Sequence, residues 1–136
     1  MSESNLKKDI RHFLLADGTV SGLIGSRLYP AMAEENVATP YVIYSIVSFK
    51  PTMAHDGPTG GARARVQFHI VADRVGSLEA VSTAIQDALE GLRQSIGAAN
   101  TTHIGRCAVD NVIDLGVNED TRDREKTVDF EISLHN

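Results

Sequence analysis

The sequence has 136 residues, a length typical of one domain with a substantial core and too short for two well-packed ones. Hydrophobic residues make up 42% of the chain and charged residues 23%, which excludes extensive disorder. The net charge of −5 excludes the global basic field that DNA-binding domains use. We therefore expect a single domain over 1–136 that does not bind DNA sequence-specifically.

The first forty residues predict two helical segments followed by an exposed linker. Apolar residues recur at helical spacing over 6–14, and Asp17-Gly18 ends this pattern. Thr19 is a candidate cap for a second, very short helix that stops at Gly25. The linker at 31–39 shows no periodicity.

We expect neither a targeting segment nor a membrane-spanning segment in this sequence. No apolar run follows the charged residues of the first segment, so we expect no signal peptide. No stretch approaches the roughly 20 apolar residues that span a bilayer. We expect a protein that is made in the cytoplasm and has no membrane partner.

Two strand-like runs, 41–49 and 62–72, form the centre of the predicted fold. In the second run Val66, Phe68 and Ile70 alternate with polar residues, which predicts one buried and one polar face. The stretch between the two runs, 50–61, is rich in proline and glycine, and we expect a long loop there. This loop is either a disordered connector or a segment that contacts a neighbouring subunit or another partner.

The second half of the chain predicts a helix and two further strands. Apolar residues repeat at helical spacing from Leu78 to Leu92, and Ser77 is a candidate cap. Strands are expected over 104–115, with a bulge or break partway, and over 128–134, with a charged turn between them. The chain therefore predicts an α+β fold, with an antiparallel sheet of about four strands and helices packed mainly on one face.

No set of residues predicts catalysis or the binding of a metal or cofactor. The histidines are scattered without a recognised metal spacing: His12, His55, His69, His103 and His135. The acidic run at 118–123 lacks the spacing of an EF-hand, and basic neighbours neutralise it. Cys107, the lone cysteine, lies in a strand-like run and predicts a buried thiol rather than a nucleophile. We expect a protein that is not an enzyme.

Five short motifs along the chain carry a family resemblance through their order and spacing. They are Arg27-Leu28-Tyr29-Pro30, Pro40-Tyr41-Val42-Ile43-Tyr44, Asp56-Gly57-Pro58-Thr59-Gly60, Ala64-Arg65-Val66-Gln67-Phe68 and Val128-Asp129-Phe130-Glu131-Ile132. Together they resemble the tail-terminator, or tail-completion, family of long-tailed bacteriophages over nearly the whole chain. The resemblance implies an α+β domain.

The same resemblance implies a structural protein of the virion, located in the neck region of the tail and assembled in the host cytoplasm. It implies a homo-oligomeric ring, of six copies, that caps the tail tube protein and ends tail polymerisation. The ring would then offer a surface to the head-tail connector or head-closure protein, with DNA passing through its centre. Two alternatives stay open, namely another neck component such as a head-closure protein, and a small-ligand-binding α+β domain.

Exposure patterns suggest which residues form the interface. The polar residues of 62–72 belong either to a solvated sheet face or to a contact with carboxylates of a neighbouring subunit, where arginine makes directional pairs. The candidate interface residues are Arg63, Arg65, Gln67, His69, His55, Asp56, Glu34, Glu35, Arg122 and Arg124.

Overall fold

The computed structural model describes residues 3–33, 35–54, 57–99 and 102–135, with the side chains of 53–60 outside that description. Three helices lie in this part of the chain: α1 (Glu3–Ala16), α2 (Gly18–Ile24) and α3 (Val75–Leu89). Six strands accompany them: β1 (Leu28–Pro30), β2 (Tyr41–Ala54), β3 (Gly57–Ala72), β4 (Ser95–Ile96), β5 (Thr102–Val117) and β6 (Arg124–His135). None of the described helices is long and apolar enough to cross a membrane.

The strands form one mixed sheet in the order β1-β2-β3-β6-β5-β4. β1 runs parallel to β2, and each of the other neighbouring pairs is antiparallel. The prediction of a four-stranded antiparallel sheet was therefore wrong. β1 and β4 span three and two residues, which is too short to give a readable alternation in the sequence.

The sheet is curled, and the prediction of helices laid on one face of it was also wrong. α1 is bonded to strands from both halves of the sheet. The Tyr44 hydroxyl on β2 donates to the Lys7 carbonyl at 3.0 Å, and the Thr102 hydroxyl on β5 donates to the Asp9 carboxylate at 2.6 Å. Because β3 and β6 lie between β2 and β5, the sheet must curve for one helix to reach both.

The core lies between the concave side of the sheet and the helices. On β3 the alternating residues Val66, Phe68 and Ile70 are fully buried, as the sequence predicted. Phe68 occupies the centre of the aromatic cluster, with the Tyr44 ring stacked at 6.2 Å and the Phe130 ring edge-on at 5.6 Å. Aromatic pairs of this geometry add about 0.5–1.5 kcal/mol beyond their buried area.

The predicted long loop at 50–61 is mostly strand. β2 and β3 continue their pairing through Met53 with Pro58 and Ala54 with Gly57, and residues 55 and 56 between them lie outside the described residues. Two register shifts in β2 absorb the irregular sequence, and Pro51 is tolerated because no described strand pairs with β2 on its outer side beyond Tyr44. The loop prediction was wrong because proline and glycine weaken a strand without excluding it from a sheet edge.

Two predicted helix caps were also wrong. Asp17, not Thr19, caps α2, since the Asp17 carboxylate accepts from the Thr19 and Val20 amides at 2.9 and 3.0 Å. α3 begins before Ser77, with Arg74 at its N-cap and no side-chain cap. The predicted irregularity of the strand now defined as β5 is confirmed by register shifts at three points along it.

Candidate assembly surface

The convex side of the sheet, which we call the open face, presents a cationic band at one end. Register partners across β2, β3, β6 and β5 place four residues in one row: Lys50, Arg63, Ser133 and Arg106. The three basic side chains of this row are exposed. Ser48, Arg65, Glu131 and Ala108 form the neighbouring row.

A depression of about 250 Å³ lies between these rows, lined by Ser48, Lys50, Arg63, Ala64, Arg65 and Glu131. A smaller one of about 80 Å³ adjoins it beside Arg106, and Arg63 and Glu131 line both. Glu131 is thus the carboxylate that faces this basic band. Exposed basic side chains around a shallow depression suit the binding of an acidic surface.

Arg65 is held by carboxylates of its own chain. Its guanidinium donates to Asp110 on β5 and lies 3.7 Å from Asp129 on β6. Asp129 is 8% exposed, and its Oδ1 has no hydrogen-bond partner among the described residues. A buried carboxylate without compensation is costly, so Arg65 stabilises the open face from within the subunit.

His69 and Gln67 complete the polar stripe of β3. The His69 Nε2 lies 2.6 Å from Glu125 on β6, and the other oxygen of Glu125 accepts from the Asn118 amide at 3.2 Å. Gln67 is half-buried opposite Asp129. Arg65 and His69 therefore link strands of one subunit, which the sequence did not predict, because the partner carboxylates lie 45 and 56 residues away.

The other candidate interface residues lie apart from this stripe. Glu35 is exposed in the segment between β1 and β2. Arg122 is exposed in the turn between β5 and β6 with φ of 65°, and Arg124 pairs with Ala72 on the concave side. Glu34, His55 and Asp56 lie outside the described residues. The structure thus brings four of the ten candidates together: Arg63, Arg65, Gln67 and His69.

A second exposed feature is the far end of the β5–β6 hairpin, of which the predicted set contained only Arg122 and Arg124. We call residues 110–124 the ribbon end. Every residue of β5 from Asp110 to Val117 is exposed. Four of them are large apolar residues, namely Val112, Ile113, Leu115 and Val117, with exposed fractions of 39–50%.

The ribbon end is exposed because β4 pairs with β5 only at Thr102 and His103, so within the described residues β6 is the one strand beside the rest of β5. From the sequence, this run was predicted only as a strand with a bulge or break partway. The charged turn that follows it was the available signal of a solvent-facing tip.

Two buried titratable groups of the described residues, Cys107 and Tyr44, have raised pKa values. Cys107 is buried, as predicted, and burial first and the nearby Glu90 carboxylate second raise its pKa to about 12. Burial likewise raises the pKa of Tyr44, partly offset by Arg11. No group of three or more His, Cys, Asp or Glu side chains in the described part of the chain could hold a metal ion.

Comparison with solved structures identifies a relative of the fold. The chain is similar to a protein in the virion of a native gene transfer agent particle, with a TM-score of 0.78 and 18% sequence identity. The match covers 99% of this chain and 100% of that one, so the two share a fold over their whole lengths. No curated protein matches the sequence.

A family model assigns the chain directly. The model of tail completion protein gp17 matches residues 8–133, which is most of the chain. This range includes the five motifs on which the resemblance in the sequence depends. The protein therefore belongs to the tail completion protein gp17 family, and it is a structural protein of a phage or phage-like virion tail.

Proposed function

We propose that this protein assembles into a closed ring, of six copies, that caps the end of the tail tube in the neck of the virion. One side of the ring binds the last ring of the tail tube. The other side offers no surface to which a further ring of the tube protein can bind. Polymerisation stops there, and the head-tail connector or head-closure protein binds instead. DNA passes through the centre of the ring without sequence-specific contacts.

The observation that carries this proposal is the ribbon end. Exposed large apolar side chains that are concentrated in one short segment, here on both faces of a strand, are typical of a segment that is buried in an assembly. The four apolar residues of the ribbon end fall within six positions of one strand. Membership of the tail completion family indicates that this assembly is part of a virion tail.

The open face supports a second contact of the same assembly. Its basic band is an exposed, mostly cationic surface on a protein whose net charge is −5, and it lies on the opposite side of the sheet from the helices. Of the residues predicted from the sequence, Arg63 is the one that this contact would use most directly. Arg63 is exposed and forms no ion pair among the described residues.

The test is the mass of the purified protein by native mass spectrometry, alone and after addition of purified tail tubes. We expect a closed ring in one of the two conditions, and rings at tube ends in negative-stain images. Tubes assembled with the protein present should stop at a uniform length, whereas tubes assembled without it should vary in length. A protein that stays monomeric and leaves tube growth unchanged would contradict the proposal.

A further inference from the structure

We propose that the ribbon end of one copy binds a groove on the outer side of α1 in the next copy, so that the subunits of the ring are joined head to tail. This inference rests on the proposed ring and specifies the contact between its subunits. The groove, which we call the α1 groove, has a volume of about 440 Å³ and is lined by Lys8, Arg11, His12, Leu15 and Ala16.

The two surfaces have complementary charge. Over 111–124, beyond the Asp110 that pairs with Arg65, acidic residues outnumber basic ones: Asp114, Glu119, Asp120 and Asp123 against Arg122 and Arg124. The α1 groove carries Lys8, Arg11 and His12, and no carboxylate is among the described residues that line it. Opposite charges steer two such surfaces together and select against like-charged partners.

The two surfaces also match in their apolar parts. Leu115 is half-exposed at the ribbon end, and Leu15 is only partly covered by its own subunit in the α1 groove. Arg11 is fixed at the groove, because its guanidinium donates to the Leu28 and Ser26 carbonyls at 3.0 and 3.3 Å. The groove is therefore preformed, and binding does not have to order it.

The sheet register places the two surfaces at opposite edges and at the same level. Register partners run across five strands through Leu28, Val42, Ile70, Lys126 and Asp114. Arg11 donates to the carbonyl of Leu28, the first residue of this row, and Asp114, the last residue of the row, belongs to the ribbon end. The two edges are four strand spacings apart, about 19 Å along the curled sheet.

A contact of this kind fits a ring and does not fit a two-fold dimer. The contact joins two different patches, so each copy keeps one free groove and one free ribbon end until the set closes. Rotation without translation closes into a ring, whereas rotation with translation gives a helix.

The first experiment is a charge exchange between the two surfaces. Lys8→Glu changes the groove and Glu119→Lys changes the ribbon end, and both positions are exposed. We expect each single variant to raise the protein concentration needed for half-maximal assembly by about tenfold, and the double variant to restore most of the loss. Arg93→Glu is the matched control, because it makes the same charge change at an exposed position between α3 and β4, outside both proposed contact surfaces.

The second experiment maps the contact directly with cysteine pairs and a short bismaleimide linker. Cys107 is buried, so engineered cysteines at exposed positions react first. A mixture of the His12→Cys and Leu115→Cys proteins should form cross-linked dimers, and neither variant alone should do so. Circular dichroism of each variant checks that it is folded.

The possible outcomes distinguish failure of the proposed head-to-tail contact from failure of the proposed ring. Normal assembly of both charge variants, no cross-link in the mixture, or cross-linking of Leu115→Cys with itself would overturn the head-to-tail contact while the ring still forms. A wild-type protein that is monomeric with and without tail tubes would overturn the ring as well.

Discussion

Thr102, at the start of β5, donates a 2.6 Å hydrogen bond to the carboxylate of Asp9 on α1, across 93 residues of sequence. Both side chains are buried, with exposed fractions of 0% and 2%. This bond joins the first helix to the far half of the sheet, while Tyr44 joins the same helix to the near half. α1 thereby closes the curve of the sheet around the core.

Replacing Thr102 by valine should destabilise the fold. The shape of the side chain is kept, but the buried Asp9 carboxylate loses a donor, which costs about 1–3 kcal/mol. The free energy of unfolding from urea titration measures the loss. Thr83→Val, on the exposed side of α3, is the matched control, and an equal effect of the two changes would contradict the role of the bond.

Gly97→Ala should also destabilise the protein, because Gly97 lies against the Asp9 carboxyl group. Gly97 has φ of +98°, and a Cβ there would lie 2.4 Å from the Asp9 carboxyl carbon. Backbone strain alone costs about 1–3 kcal/mol, and displacement of Asp9 adds to it. Gly22→Ala is the control, because no atom lies within 4 Å of its Cβ position and alanine favours the helix. Thermal melting should show Gly97→Ala below the wild type and Gly22→Ala at or above it.

Arg65→Glu and Arg63→Glu should separate folding from assembly. Arg65→Glu places a third carboxylate beside Asp110 and Asp129, so we expect a loss of about 1–2 kcal/mol in the free energy of unfolding, limited by the exposure of the Arg65–Asp110 pair. Arg63→Glu makes the same change at an exposed position and should leave that free energy within about 0.5 kcal/mol of wild type.

For Arg63→Glu we expect reduced binding to tail tubes or to the connector, measured by co-sedimentation. Equal stability of the two variants would show that the Arg65 contacts contribute little to folding. Unchanged co-sedimentation of Arg63→Glu with both partners would show that the basic band is not a contact surface.

Truncation of Phe68 should cost more than any surface change. The ring is fully buried and contacts the rings of Tyr44 and Phe130. Phe68→Ala removes these contacts and leaves a cavity, which costs about 3–5 kcal/mol. Urea titration of Phe68→Ala beside Val47→Ala, at a half-exposed position of β2, gives the comparison. Similar urea midpoints for the two variants would contradict the central position of Phe68 in the core.

Cys107 should make the stability fall at high pH. Its folded pKa is about 12, against 9.0 for an unperturbed thiol, so above pH 9 the unfolded chain releases a proton that the folded protein keeps. Below pH 9 the protonated thiol makes its full contribution to the free energy of unfolding. This contribution is lost as the pH rises towards 12, by about 1 kcal/mol over the first pH unit above 9. Cys107→Ala should remove this part of the slope, and identical slopes for the two proteins would contradict it.

The alternation in β3 and β6 and the helical spacing in α3 were readable from the sequence because each follows from local geometry. Val66, Phe68 and Ile70 had to share one face of a strand, whatever the strand paired with. The family resemblance rests on the same kind of information, since its motifs are short local runs such as Pro40-Tyr41 and Arg27 to Pro30.

The interface residues could be predicted only as exposed polar groups. The sequence placed Arg63, Arg65, Gln67 and His69 on one face, and the structure confirms this placement. It did not indicate that Asp110 and Glu125 would satisfy Arg65 and His69 within the subunit, because that depends on strand order and register. The use of these residues between subunits stays a prediction.

The sequence by itself determined the periodic elements, the buried face of β3 and the family. The tertiary structure decided the strand count, the parallel pairing of β1, the curl of the sheet around α1 and the exposure of the ribbon end. The physical reason is that alternation records which residues share a face, while neighbours in a sheet are chosen by contacts between distant segments. Leu115 is exposed because β4 begins only at Ser95 and pairs with β5 no further than His103, and nothing near Leu115 in the sequence encodes where β4 begins.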